Sequence, residues 1–329
     1  MNYATKLCIV SMVSVFSVSS MGLVQAADTP IVSTGGAAYN IGIPGNSNFT
    51  NSDNVSLGGQ AGTSNGNPYQ NPNDPNAKGN NIAIGRISLN GSSGGANVAL
   101  GSKTFLNGKG DYNFLGNFAA GFNSTISNTI AIGAFAGSNA KGNKNVWLGS
   151  GQAGGSTGNN TVLIGSNSTV DGNFNYGIGH NAELKGESNA VVGAYNHVTA
   201  NNTYVLGDHV TTTLDNAVVL GSHSTAESTD VVSTPSYTYA GGTVNFAGTA
   251  PVSTVSVGAT GQERTITHVA AGRVSADSTD AINGSQLYGA NQQIDNLYNK
   301  ISNIGKDANK GDARAAALAA LHPMQFDPD

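Results

Sequence analysis

The chain has 329 residues, of which only 10% are charged and 45 are glycine, with a formal net charge of −5. A chain so poor in charge, and acidic on balance, argues against nucleic acid and anionic membrane as partners. Its one cysteine, Cys8, lies in the N-terminal apolar run, so disulfide and thiol chemistry are excluded and stability has to come from stacking and association.

Residues 1–26 have the form of a secretory signal: Lys6, an apolar run from Leu7 to Val18, and a small-residue cleavage site at Val24-Gln-Ala26. The run is too short to span a bilayer. Cleavage removes Lys6 and leaves thirteen basic against nineteen acidic residues. A lead-in follows over residues 27–50.

From residue 51 to 227 one short phrase returns: Asn, an aliphatic pair, then Gly. Examples are Asn81-Ile-Ala-Ile-Gly85, Asn97-Val-Ala-Leu-Gly101, Asn145-Val-Trp-Leu-Gly149, Asn160-Thr-Val-Leu-Ile-Gly165 and Asn189-Ala-Val-Val-Gly193. The Gly-to-Gly step is 14 residues from Gly165 to Gly221 and 15 to 17 from Gly85 to Gly165, with a weaker copy at Gly116. So short a period means one supersecondary unit stacked on itself. It is too short for a helical hairpin, and its apolar residues alternate as in strands. The expectation is a β-solenoid with Gly and Asn at the corners, where positive φ is needed. The Asn/Pro-rich stretch from Gly62 to Lys78 reads as a loop bulging from a coil.

Positions one and three before each Gly are expected to fill the coil, with the residue between them facing out. That middle row reads Ser56, Ala83, Ala99, Phe114, Ala131, Trp147, Leu163, Gly177, Val191, Val205 and Val219. Strands apolar on both faces are strands covered on both faces. The cover expected is the same row of neighbouring chains, which places Trp147, Val191, Val205 and Val219 in a homo-oligomer interface.

Residues 228–256 read as an irregular β connector carrying Tyr237, Tyr239 and Phe246. From Ser285 a heptad seam begins: Leu287, Ile294, Ile301, Ala308 and Ala315 form one row, and Ala290, Leu297, Ile304, Gly311 and Leu318 the other. This predicts a parallel coiled coil over residues 289–321, and isoleucine in both rows favours three strands. Residues 322–329 remain beyond it.

These residues together resemble the YadA-like trimeric autotransporter adhesins of bacterial outer membranes. The head phrase is similar to that family's Asn-Ser-Val-Ala-Ile-Gly repeat with a Ser three residues on, best in Asn160 to Ser168 and in Asn80 to Ser88. Residues 257–288, and above all Gly261 to Tyr288 with Asp280-Ala-Ile-Asn-Gly-Ser-Gln-Leu287, are close to the family's neck. The resemblance implies an all-β head, a left-handed parallel β-roll, in a homotrimer. A neck and an α-helical trimeric coiled coil follow, and a β-barrel anchor lies beyond them. Residues 322–329 resemble the approach to that barrel, so the chain reads as the passenger fragment of a longer protein, exported to the cell surface.

Chemistry is scarce. No zinc-protease, nucleophile-elbow, P-loop or calcium-nonapeptide motif occurs, and the acidic residues lack pairing for general acid–base work. Neither a cofactor nor a metal site is expected, and no catalytic residue. His209 and His223 occupy one slot in successive coils with His180 and His197 near it, a ladder that would attract metal or else simply line exposed turns. Lys109-Gly-Asp111 and Lys310-Gly-Asp312 match integrin-type tripeptides by chance. Phe105, Tyr112, Phe118 and Phe122 crowd the longest repeats, either as a ligand surface or as core. In the family, collagen binding has been tied to the head repeat, which nominates Asn160, Ile164, Gly165 and Ser168. In the neck, Glu263, Arg264, Arg273, Asp277 and Asp280 are expected to pair between chains, and Ser278 or Thr279 to cap the stalk helix. The expected function is a multivalent surface adhesin for host matrix proteins or a cell receptor, or for bacterial self-association. The rivals are a purely structural trimeric spacer and a β-helix polysaccharide-active enzyme.

Overall fold

A computed structural model of the chain describes residues 31–33, 40–42, 55–58, 60–62 and 80–321. The signal segment, most of the lead-in, residues 63–79 of the Asn/Pro-rich stretch and residues 322–329 lie outside the described residues. Two units are distinguished. One comprises the head up to Val232 together with Val252–Arg264, and the other comprises Ser233–Pro251 and the chain from Thr265 on.

The head is a parallel β-solenoid. Its long sheet runs in register through Val55–Leu57, Ile82–Ile84, Val98–Leu100, Phe114–Gly116, Ile130–Ile132, Val146–Leu148, Val162–Ser166, Tyr176–His180, Ala190–Val192, Tyr204–Leu206 and Val218–Leu220. Each coil returns through a second strand in a short sheet: Thr169–Asp171, Glu183–Lys185, His197–Thr199, Thr211–Thr212 and Thr225–Ala226. Thr125–Ser127 and Lys141–Asn143 continue that face upstream, with Lys109 and Thr157 bridging the gaps. The solenoid does not end where the 14-residue period ends. After a 3₁₀ turn at Ser228–Asp230 and an excursion into the second unit, Val255–Ser256 returns as one more rung, parallel to Val218–Val219. The connector is thus partly head.

The core is a single file from each sheet. From the long sheet it takes Ala83, Ala99, Leu115, Ala131, Trp147, Leu163, Val191, Val205 and Val219, and from the short sheet Ile126, Val170, Leu184, Val198 and Ala226, all buried. A three-residue strand turns one side chain inward and two outward. The coil is therefore narrow, and it takes Ala, Val or one larger residue at a time. Gly177 fits the same rule: a Cβ there would stand 2.7 Å from Leu163 Cδ2 of the preceding rung. The expected faces are thus inverted. The middle row lies inside the coil, and the bulkier aliphatic rows on either side of it point out. In the Gly116 coil the register also shifts by one, pairing Leu115, not Phe114, with Ala99 and Ala131.

Polar ladders close the corners. The buried Asn189 carboxamide accepts from Thr203 N at 3.0 Å and donates to Ala200 O at 2.6 Å. Asn97, Asn113 and Asn175 repeat both contacts in other coils. The motif asparagines prove to be of two kinds. Asn128, Asn160, Asn202 and Asn216 sit one residue earlier, in the left-handed region, and Thr129, Thr161, Thr203 and Ala217 take the buried slot after them. The conserved-looking glycine has a steric cause: at Gly165, φ is +131° and a Cβ would stand 1.7 Å from the Gly179 carbonyl oxygen of the next coil. No L side chain fits there.

In the second unit, Ser236–Tyr239 and Gly242–Asn245 form a regular antiparallel hairpin, not an irregular connector. Helix α1 spans Gly284–Ala320, so it begins inside the neck segment. Its N-cap is Asn283, whose N–H donates to Gln286 Oε1 at 3.1 Å, rather than Ser278 or Thr279. Ser278 Oγ instead donates to Arg273 O at 2.7 Å.

Replacing Asn189 with alanine strands a buried amide and a buried carbonyl, so Asn189→Ala should cost about 1–3 kcal/mol. A lowered denaturant midpoint at unchanged slope is the expected readout.

Candidate functional site

The feature that demands a partner is the outer surface of the long sheet. Two apolar rows run its length. One holds Ile84, Ile132, Ile164, Ile178, Val192, Leu206 and Leu220, and the other Phe114, Ile130, Tyr176 and Tyr204, every one of them exposed in a single chain. Tyr176, Ile178, Tyr204 and Leu206 are each more than half exposed. Apolar stripes this long are rare on a lone soluble molecule and mark an interaction surface. The residues picked from sequence for that role do not form it. Trp147, Val191, Val205 and Val219 are buried inside their own chain, and Trp147 Nε1 donates to Thr161 Oγ1 of the next coil at 3.0 Å. They are core because the lumen admits only the middle row.

Helix α1 has the same deficiency. None of its 37 residues is buried, and Leu287, Ile294, Leu297, Ile301 and Ile304 are each more than half exposed along the heptad seam. A helix of this length with an unpartnered seam lacks the packing that stabilises helices in water.

The short sheet presents the opposite surface. Its outward residues are polar, with Lys109, Thr125, Lys141, Thr157, Asp171, Lys185 and Thr199 in one file. Glu183 bridges Lys185 Nζ at 2.5 Å and His197 Nδ1 at 2.8 Å. The Lys185 hydrogen bond is the largest influence and holds the Glu183 carboxyl below its usual range, with desolvation opposing and the charge of His197 assisting. His197 is thereby on a different face from His180, His209 and His223. Those form an aromatic ladder at one corner: His180 meets Tyr195 edge-on at 5.4 Å, Tyr195 stacks on His209 at 4.9 Å, and His209 on His223 at 5.0 Å with the rings within 2° of parallel. Cofacial rings at that spacing do not converge on one ion, and among the described residues no three His, Cys, Asp or Glu side chains are grouped to hold a metal.

The proposed ligand residues separate under burial. Phe105 is fully enclosed in its coil and Ser168 is 1% exposed, its N–H bound to Gln152 Oε1 and its Oγ accepting from Ala182 N. Neither can touch a ligand, because each faces the lumen. Tyr112 and Phe118 are exposed and Phe122 is half-buried; Phe118 packs edge-on against Phe135 at 5.3 Å beneath Lys103 Nζ. Asn160 is a half-buried corner residue, Ile164 belongs to the outer apolar row, and Gly165 is fixed by the turn. Lys109-Gly-Asp111 is no protruding loop. Lys109 bridges Ser93 and Thr125, and Asp111 Oδ1 accepts from Gly95 N at 2.7 Å.

Within a single chain, Arg264, Arg273, Asp277 and Asp280 each have a partner. Arg273 grips Asp280 through Nε–Oδ2 at 2.8 Å and Nη2–Oδ1 at 3.1 Å, which holds the Asp280 carboxyl below its ordinary range. Asp277 accepts from Ser275 Oγ at 2.5 Å. Arg264 closes the last coil: its guanidinium donates to Ser222 O and Val257 O at 2.7 Å each and to Ser224 Oγ at 3.0 Å. Those carbonyls would otherwise end the ladder unpaired.

Two substitutions separate core from interface. Trp147→Ala empties the lumen and should cost about 3–5 kcal/mol whether or not chains associate. Ile178→Ser should leave the fold of one chain intact by circular dichroism while weakening association at dilution.

Comparison with known proteins finds likenesses over parts of the chain. Residues 265–310 match the family model for the coiled stalk of trimeric autotransporter adhesins. The autotransporter adhesin BtaE of Brucella suis is 58% identical over 71 residues, a match that spans 22% of this chain and 10% of that relative. A solved C-terminal YadA-like domain from Burkholderia pseudomallei is 45% identical over 33% of this chain and 50% of that one; at a TM-score of 0.32 it carries no weight for the fold. Residues 265–310 are thus similar to the coiled stalk of trimeric autotransporter adhesins, and the chain matches only a tenth of the length of that curated relative.

Proposed function

We propose that the chain works as a homotrimer, the exported surface portion of an adhesin that attaches bacteria to host matrix proteins or to a host cell receptor. The observation that supports this reading most is a double one. The long sheet of the head and the seam of α1 both leave continuous apolar rows uncovered in a single chain. Three chains side by side satisfy both at once, and isoleucine in both heptad rows favours three over two. The short-sheet faces and the corner bearing Tyr112 are then left outward for contact. Attachment is by avidity: three identical faces raise apparent affinity without any strong single contact. Neither catalysis nor a cofactor enters this reading.

The test is binding of the purified chain to collagen, fibronectin, laminin and epithelial receptors, with Ile294→Asp/Ile301→Asp as a stalk-broken control. The intact chain should sediment as a trimer and hold its ligand far more tightly than the control. Equal binding by both would refute avidity, and a stable single subunit would refute the trimer.

A further inference from the structure

In three successive coils of the head the two ends of the long-sheet strand carry different chemistry. At one end the corner residue, in the left-handed region, is Tyr195, then His209, then His223, all exposed and with their rings stacked. At the other end stand Glu187, Asn201 and Asp215, also exposed. They form a ladder of their own: Glu187 N donates to Asn201 Oδ1 at 3.0 Å, and Asn201 N to Asp215 Oδ1 at 2.7 Å. Strands Ala190–Val192, Tyr204–Leu206 and Val218–Leu220 lie between the two corners. Rings and carboxylates therefore occupy opposite edges of the apolar outer surface.

Charge on these coils is one-sided. Residues 151–230 hold seven acidic residues and one Lys or Arg, Lys185, which is bound to Glu183. Histidine is the remaining reserve of positive charge in that stretch. Within one chain, His209 and His223 face each other, Tyr195, Asp208 and Arg264. Asp208 Oδ1 accepts from Ala194 N at 2.7 Å, and the Arg264 guanidinium is engaged by Ser222 O, Ser224 Oγ and Val257 O. Protonating both imidazoles in a lone chain sets two like charges 5.0 Å apart beside that guanidinium.

The rest of the inference stands on the homotrimer reading. Three chains around an axis parallel to the head meet one edge of each long sheet to the opposite edge of the next, and rotation keeps every rung at its own height. The His223 rung then meets Asp215 of the partner subunit. His209 meets the rung between Asp215 and Glu187. These rungs lie at the end of the head away from Tyr112.

We infer that this seam is a proton-operated clasp: His209 and His223, once protonated, pair with the Asp215 carboxylate of the neighbouring chain and tighten the neck end of the head. Imidazoles take up protons between about pH 7.5 and 5.5, whereas carboxylates keep their charge down to about pH 4. A lone chain sets the new charges against one another, and the assembled seam gives them a carboxylate. Protons therefore favour the assembled form, and its stability rises as pH falls through that window. Above the window the imidazoles are neutral and the gain is lost; below about pH 4 the carboxylates are neutral and it is lost again. A surface protein built this way is firmest where its surroundings turn acidic.

Two measurements on the full exported chain test this. Asp215→Cys/His223→Cys carries no other cysteine once Cys8 leaves with the signal. Within one chain the two positions flank a strand that alone spans about 10 Å, beyond the about 7 Å a disulfide bridges. Mild oxidation should therefore lock three chains into one covalent trimer on a non-reducing gel. Urea-driven dissociation of the wild-type trimer should be about tenfold slower at about pH 5.5 than at about pH 7.5, since three seams add where one exposed pair gives little. His209→Gln/His223→Gln should erase that difference. His223→Lys should bring the slow dissociation to pH 7.5, in a left-handed corner that Lys103 already occupies in another coil. Covalent species that stop at dimers or single chains, equal dissociation at the two pH values, or a pH response that survives the double glutamine variant would overturn the inference. Sedimentation separates the two readings. A wild type that runs as one subunit refutes the trimer and the clasp together, whereas a trimer indifferent to pH condemns the clasp alone.

Discussion

The constraint that shapes this molecule is that the long sheet of its head is apolar on both sides. Inside, one narrow row closes the coil of a single chain. Outside, two rows of Ile, Leu, Val and Tyr remain in water unless another surface covers them. On the homotrimer reading, stability of the head is divided between a lumen each chain completes alone and a surface that partner chains would cover. The stalk helix repeats that division with its exposed seam.

The division accounts for the placement of polar groups. Within the lumen, buried backbone amides such as those of Asn113, Asn189 and Thr203 are satisfied by asparagine side chains of the preceding coil, so each rung is tied to its neighbours above and below. A solenoid held in this way has to be terminated, and Arg264 does so at the last coil by donating to carbonyls to which no further strand donates. The short sheet, which takes no part in covering the apolar rows, is left polar and charged. Its chemistry is open to vary without disturbing the fold.

Much of this was legible in the sequence. The 14-residue step named a solenoid, the heptad named the stalk, and apolar residues on both strand faces named a surface that one chain leaves exposed. Which face was which was not legible. Alternation gives parity without sign, and the bulkier rows at Ile82 and Ile84 or Ile130 and Ile132 looked like core beside Ala83 and Ala131. The sign comes from volume: a coil of 14 to 17 residues has a lumen too narrow for two files of isoleucine, so the middle residue goes in and Trp147 is the largest of that row. Phe105, open to either a ligand surface or the core, and Ser168, nominated through the family resemblance, both line the lumen. The asparagines misled in another way, since a buried Asn189 and a left-handed Asn202 share one phrase in sequence and differ by one residue in register. The charge pairs of the neck were found as residues, but which partner each takes depends on the turn from Arg273 to Asp280, which carries no periodic signal.

The central claim is that the outer rows of the long sheet are covered in the assembled protein. With Cys8 the sole native cysteine, a thiol placed at Ile178 reports on it directly. In the assembled chain, Ile178→Cys should react with maleimide much more slowly than Asp171→Cys on the short sheet, and should gain reactivity when the stalk seam is broken. Equal and rapid labelling at both positions in the intact protein would contradict the account.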